Sequence, residues 1–237
     1  MLLVLTVASG AGRQARAQTT QNPYPSMAPI DQYLIADRNA EVALARSAAP
    51  DSVAEHAEVL VLGRHGYETA VKGTNGFVCL VGRSWALGFD KPEFWNPKIR
   101  SALCVNSVSA RSVLPLHLAR TEWVLAAVAI ADMKAREDAE WASGKYKAPE
   151  PGAMSFMLSR QSYLNDDAGP WLPHVMFFAP RSESGQWGEN LPGSPVRADT
   201  TNFKNTTVFN VLAPKWSDGT PSPADSQPSG PTAQHPH

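Results

Sequence analysis

The chain has 237 residues, 43% of them hydrophobic, and a formal net charge of −1. That length and apolar content support one domain with a real core. The near-neutral balance, with Lys and Arg scattered, gives no electrostatic case for nucleic acid or an acidic membrane surface.

Residues 1–17 read as a secretory signal peptide. An apolar run from Leu2 to Ala8 leads through Gly10 and Gly12 to Ala15-Arg16-Ala17, a small-x-small cleavage site. Leu2 follows Met1 with no positive n-region between them, so the true start is expected upstream. The run is too short to span a bilayer, which takes roughly 20 apolar residues, and no later segment qualifies. The chain is therefore expected to be exported, periplasmic or secreted. Residues 18–26 read as a linker, 27–216 as a single globular domain, and 217–237 as a disordered tail dominated by Pro, Ser and Gly.

Met27 to Ala48 carries apolar residues at spacings of three and four, with Pro29 in the first turn, and predicts a helix. Glu58–Leu62, Tyr67–Lys72 and Phe77–Val81 predict three strands of an antiparallel meander, with Gly73-Thr74-Asn75-Gly76 as the second turn. Gly82 to Ser109 reads as a long irregular connection bearing Phe89, Phe94 and Trp95. Thr121, as N-cap, opens a second helix that runs to Ala142 before Gly144. Further strands are expected at Met154–Ser159, Val175–Ala179 and Thr207–Leu212. The expected fold class is α+β, with a mainly antiparallel sheet of about six strands and two principal helices.

Cys79 and Cys104 form a natural disulfide pair in an oxidising compartment. The bond would pin the long connection to the third strand and close a loop of about 25 residues, worth roughly 3 kcal/mol. Neither cysteine belongs to a C-x-x-C redox pair, and two cysteines alone make no zinc site.

Gly82-Arg83-Ser84-Trp85-Ala86 approaches the G-x-S-x-G nucleophile elbow. Its last Gly is Ala, a loop follows it, and the strands around it read as antiparallel. Arg64-His65-Gly66-Tyr67-Glu68 gathers a cation, an imidazole, a phenol and a carboxylate at a turn, where function concentrates. Asn165 to His174 brings Asp166, Asp167, Trp171 and His174 to the start of an apolar strand. If the two strand ends meet, His65, Glu68, Asp167 and His174 could share an acid–base or metal-assisted site. Tyr67, Trp95 and Trp171 are candidate ligand-binding residues. His117, in an apolar stretch, reads as a satisfied core histidine. No metal motif occurs in the folded region and no cofactor motif stands out. His235 and His237 in the tail have no preorganised geometry. Asn205-Thr206-Thr207 fits the N-glycosylation pattern.

The segments Ala36-Asp37-Arg38-Asn39, Ala45-Arg46-Ser47-Ala48, Val61 to Glu68 and Gly76 to Val81 resemble a group of uncharacterised exported bacterial proteins. That resemblance covers most of the folded region, implies an exported bacterial domain and assigns no role to any residue. The leading expectation is an exported binding or accessory module that holds a small molecule or protein partner in a cleft roofed by the loops around Phe94-Trp95 and Trp171. The alternatives are a hydrolase or metal-assisted enzyme using the His/carboxylate set, and a structural envelope protein.

Overall fold

A computed structural model describes residues 22–167 and 169–223. The expected signal peptide, the first part of the expected linker, the end of the tail with His235 and His237, and residue 168 lie outside the described residues.

The strands are β1 (Glu58–Gly63), β2 (Gly66–Val71), β3 (Val78–Gly82), β4 (Ser101–Val105), β5 (Met154–Met157), β6 (His174–Pro180), β7 (Val196–Asp199) and β8 (Thr206–Leu212). They form one eight-stranded sheet in the order β2-β1-β3-β4-β5-β6-β8-β7. The helices are α1 (Arg38–Arg46), α2 (Asp51–Ala54), α3 (Ser107–Ser112), α4 (Leu114–Leu125) and α5 (Ile130–Ala142). The class is α+β, as expected, but the sheet is larger than six strands and is mixed. β1 and β2 form a hairpin around Arg64-His65, with Gly66 at φ 129° completing the turn. β3 then crosses to the far side of β1 and runs parallel to it, so these strands do not form a meander.

This half of the sheet is covered on both faces. On one side the small residues Ala45, Ala48 and Ala49 let α1 and the chain after it approach Val59, Cys79, Val81, Ala102 and Cys104. On the other, Leu114 and Leu118 of α4 cover Leu60, Leu80 and Val105. Burial on both faces explains why β1 and β3 read as continuous apolar runs rather than alternating ones.

The expected connection from Gly82 to Ser109 contains β4. Cys104 therefore lies within the sheet, directly opposite Cys79, and their disulfide joins neighbouring strands rather than strapping down a loop. β7 also went unexpected. It is a short edge strand whose Arg197 is exposed.

Both expected helices need correction. Residues 27–37 form a 3-10 turn (Ile30–Gln32) and a loop, and α1 begins only where Asp37 caps it, accepting from Asn39 N at 2.8 Å. The loop is held by buried Tyr33, whose hydroxyl donates to Trp95 O at 2.8 Å. Thr121 does not cap a helix. It lies inside α4, donating to His117 O at 3.0 Å and accepting from Trp85 Nε1 at 2.9 Å. The helix starts earlier, with Pro115 in its first turn, and a break at Ala127 (φ 55°) separates it from α5.

The ordered domain also reaches past Trp216. Ser217 N donates to Leu158 O at 2.9 Å, Ser217 Oγ donates to Ser47 O at 2.6 Å, and Ser222 is buried. Disorder was expected from 217, but residues 217–223 pack against the domain. At the other end Tyr24 OH donates to Asp166 Oδ2 at 2.5 Å, so part of the expected linker is also tied down.

Candidate functional site

The alternation of β strands decides which side chains share a face. Met157 pairs with His174, Ser155 with Met176, and Met176 with Asn210. His174, Met176 and Phe178 therefore point to the same face of β6, the face that Leu103 and Val105 occupy on β4. Val113, Leu114 and His117, spaced as one side of a helical turn, come down on that face from α3–α4. Three connections close the remaining sides. They are the segment after β3 (Ala86, Leu87), the β5–β6 loop (Leu164, Trp171) and the β7–β8 loop (Asn202, Phe203).

The result is a cavity of about 350 Å³ whose walls are mainly aliphatic and aromatic, with a few polar side chains converging on it. Two of these are histidines. His117 is 5% exposed and His174 3% exposed. Burial holds both imidazoles down to about 4. The charges of Arg120 and Arg83 add to the effect at His117, while a hydrogen bond to Leu172 opposes it at His174. Both rings are neutral near pH 7.

The ring positions differ in their partners. His174 Nδ1 lies 2.7 Å from Leu172 O, so that nitrogen carries the proton and Nε2 is left as an acceptor. Trp171, held at φ 59°, packs edge-on against the His174 ring with 4.6 Å between centroids. His117 Nε2 is buried with no hydrogen-bond partner. The satisfied core histidine expected at His117 is buried but not satisfied.

Arg83, fully buried, also reaches the cavity wall. Its guanidinium is already committed. Nε donates to Tyr33 O at 2.6 Å, Nη1 to Val81 O, and Nη2 to Glu41 Oε1 at 2.9 Å. Glu41, 1% exposed on α1, neutralises it. The cavity thus has a cation in its wall but little free positive charge.

The structure does not bring the four catalytic candidates together. His65 and Glu68 sit on the exposed β1–β2 hairpin, where Glu68 pairs with Arg38. β2 is the sheet's outer strand and lies five places from β6, about 24 Å at ordinary strand spacing. Asp167 is exposed and lines a separate surface groove of about 610 Å³ together with Trp95, Tyr24 and Phe89. Of the ligand-binding candidates, Trp171 lines the cavity and Trp95 the groove, so the two do not roof one cleft. Tyr67 lies in neither. Its hydroxyl donates to Val81 O at 2.7 Å, its ring faces His117, and burial pushes its phenol up. The groove has the larger volume, but none of the titratable groups that line it is buried.

The Gly82–Ala86 segment is a 3-10 turn that drives Trp85 into the core, not a strand-to-helix elbow, and the hydroxyl of Ser84 is buried without a partner. Among the described residues no group of three or more His, Cys, Asp or Glu could hold a metal ion. No helix among them is long and apolar enough to cross a membrane. Asn205 is exposed in the β7–β8 turn. Comparison with protein-family models, curated proteins and solved structures returns no match.

Proposed function

We propose that this is an exported binding protein that encloses a small, mainly apolar molecule in the cavity between α4 and the β4–β5–β6–β8 face. The observation that carries this reading is the cavity itself. It combines an aliphatic and aromatic lining, the size of a small-ligand site, and a few buried polar groups able to orient a guest. The Cys79–Cys104 bond supports work in an oxidising compartment.

The alternative of a His/carboxylate enzyme required His65, Glu68, Asp167 and His174 to converge, and their separation removes its premise. A structural envelope role called for a large exposed apolar patch without a concave pocket. Among the described residues the exposed large hydrophobics are Trp187 and Leu191, on one loop, and a concave pocket is present.

The test is titration with N-phenyl-1-naphthylamine, an uncharged apolar fluorophore, following its emission and the quenching of tryptophan. One-site, saturable binding is expected. It should disappear in the cavity-filling variant Met176→Trp and persist in Trp95→Ala, which opens the groove and the packing around Phe94 but leaves the cavity lining intact. Loss in Trp95→Ala with binding intact in Met176→Trp would move the site to the groove. Absence of saturable binding to the wild-type protein would refute the reading.

A further inference from the structure

Resting on the cavity as the binding site, we propose that its guest is an apolar amine, an ammonium group on an aliphatic or aromatic body, with the cation seated on the Asp199 carboxylate. Strand register places that carboxylate. Phe178, a wall residue, pairs with Val208, and Val208 pairs in turn with Asp199. Directly opposed residues share a face, so Asp199 stands on the cavity face of β7, at the strand's last position. Its side chain is half-buried, neither sealed beneath the wall nor free in solvent.

Asp199 carries the one uncancelled charge of that wall. Arg83 is neutralised by Glu41 at 2.9 Å, and His117 and His174 are neutral near pH 7. Among the described residues Asp199 forms no ion pair. The cations around it are engaged or turned to solvent. Arg120 is held by both oxygens of Glu137, at 2.8 and 3.0 Å. Arg181 donates to the carbonyls of Thr200 and Phe203 and lines a separate hollow. Arg197 shares the Asp199 face of β7 but is exposed.

The partners of Asp199 fix its position without cancelling its charge. Oδ1 accepts from Thr201 N at 2.6 Å and Thr201 Oγ1 at 2.7 Å, and Oδ2 accepts from Asn202 Nδ2 at 2.9 Å. All three donors are neutral. A carboxylate has about four lone-pair sites, so Oδ2 keeps one for a further donor. Asn202 is braced in turn, its Oδ1 accepting from Gly88 N at 3.0 Å. An ammonium group supplies both the missing donor and the missing opposite charge, in a charge-assisted hydrogen bond. Phe178 and Phe203 add aromatic rings to the same wall, and ring faces attract cations. An anionic guest would meet like charge. A neutral guest would leave the carboxylate to water. The rest of the lining is mainly aliphatic and aromatic, and about 350 Å³ suits a one- or two-ring body or a short branched chain.

The decisive comparison uses three probes of similar size, 2-naphthylmethylamine, 2-naphthylmethanol and 2-naphthoate, each displacing N-phenyl-1-naphthylamine from the wild-type protein at pH 7.5. The amine is expected to bind about tenfold tighter than the alcohol, with 2-naphthoate weakest. Asp199→Asn keeps an acceptor for Thr201 and removes the charge. It should weaken the amine about tenfold and the alcohol less than about twofold. A second measurement needs no variant: raising salt from about 20 to 500 mM should weaken the amine severalfold and spare the alcohol. Equal affinities of amine and alcohol in the wild-type protein, an amine affinity unmoved by Asp199→Asn, or one indifferent to salt would overturn the amine inference and leave the binding site standing. Failure of every probe to displace the fluorophore from a protein that binds it saturably would also overturn it. No binding of the fluorophore at all would instead bring down the underlying reading, and this inference with it.

Discussion

The Arg83–Glu41 pair neutralises the cation in the cavity wall, and removing the carboxylate charge tests this directly. Glu41→Gln keeps the side chain's shape and one carbonyl oxygen, which can still accept from Leu62 N, a 3.1 Å contact in the native protein. It leaves the Arg83 guanidinium, 0% exposed as a side chain, without a counter-charge. Breaking one partner of a buried ion pair costs about 3–5 kcal/mol, because the surviving charge is stranded in low dielectric. For a domain of this size each kcal/mol lowers the melting temperature by about 2–4 °C, so the variant should melt about 6–20 °C below wild type. The matched control is Glu68→Gln, which breaks the exposed pair with Arg38 and should cost less than about 1 kcal/mol. Calorimetry at pH 7 with both variants separates the effect of burial from that of charge. A Glu41→Gln protein as stable as the control would refute the reasoning, since Arg83 would then be reaching water.

Three further outcomes follow from other parts of the fold. The disulfide spans 25 residues and lies between two fully buried strand positions. The Cys79→Ala/Cys104→Ala protein should lose roughly 3.5 kcal/mol by loop entropy, read as an earlier urea midpoint with a steeper slope, because the freed denatured chain exposes more surface. A midpoint unchanged from wild type would count against that magnitude. Stability should also fall in mild acid. Both cavity histidines titrate near 4 in the folded state and near 6.5 when unfolded. The unfolded chain therefore takes up protons first, and the contribution present above pH 6.5 is lost as pH falls toward 4. Urea denaturation between pH 7.5 and 4.5 should show this slope, and His174→Phe should flatten it; an equally steep slope in the variant would place the titration elsewhere. Finally, a Cβ on Gly88 would sit 2.5 Å from Thr201 O, where the loop after β3 touches the β7–β8 loop. Gly88→Ala should cost about 1–3 kcal/mol and weaken fluorophore binding by displacing Asn202 and Phe203 from the cavity wall. Unchanged affinity would show that the two loops do not depend on each other.

Local pattern carried part of this architecture. The β1 and β3 strands, the hairpin at Gly66 and the Cys79–Cys104 pairing follow from apolar runs, a Gly turn and cysteine arithmetic. β4 was hidden because Ser101 to Val105 is five residues long and sits directly after a Pro- and aromatic-rich stretch, so composition made the whole segment look irregular. The helix ends were misplaced because side chains that usually mark a start have tertiary roles here. Thr121 serves Trp85 across the core, and Pro29 precedes a 3-10 turn rather than a helix. The crossing of β3 to the far side of β1 has no local signal, because hairpin and parallel neighbours read alike in a short apolar run.

The site itself depends on the least legible of these features. His174, Met176 and Phe178 alternate along one strand, and Val113, Leu114 and His117 share one helical face, so each half of the cavity is written in a short periodicity. Joining the halves requires β5 to lie between β4 and β6, which places His174 beside Met157 and beneath α4. His117 and His174 lie 57 positions apart in the sequence. Read alone, His117 is an apolar-stretch histidine and His174 a strand-start histidine. Set against the same cavity they become its two buried neutral bases, one with its tautomer fixed by a backbone carbonyl and the other with an unsatisfied nitrogen. Leaving His117 Nε2 unpaired costs stability that a hydrophobic residue of similar size would avoid. A Phe at 117 would pack the same face of α4 without that penalty, so a purely structural cavity gives no physical reason for an imidazole there.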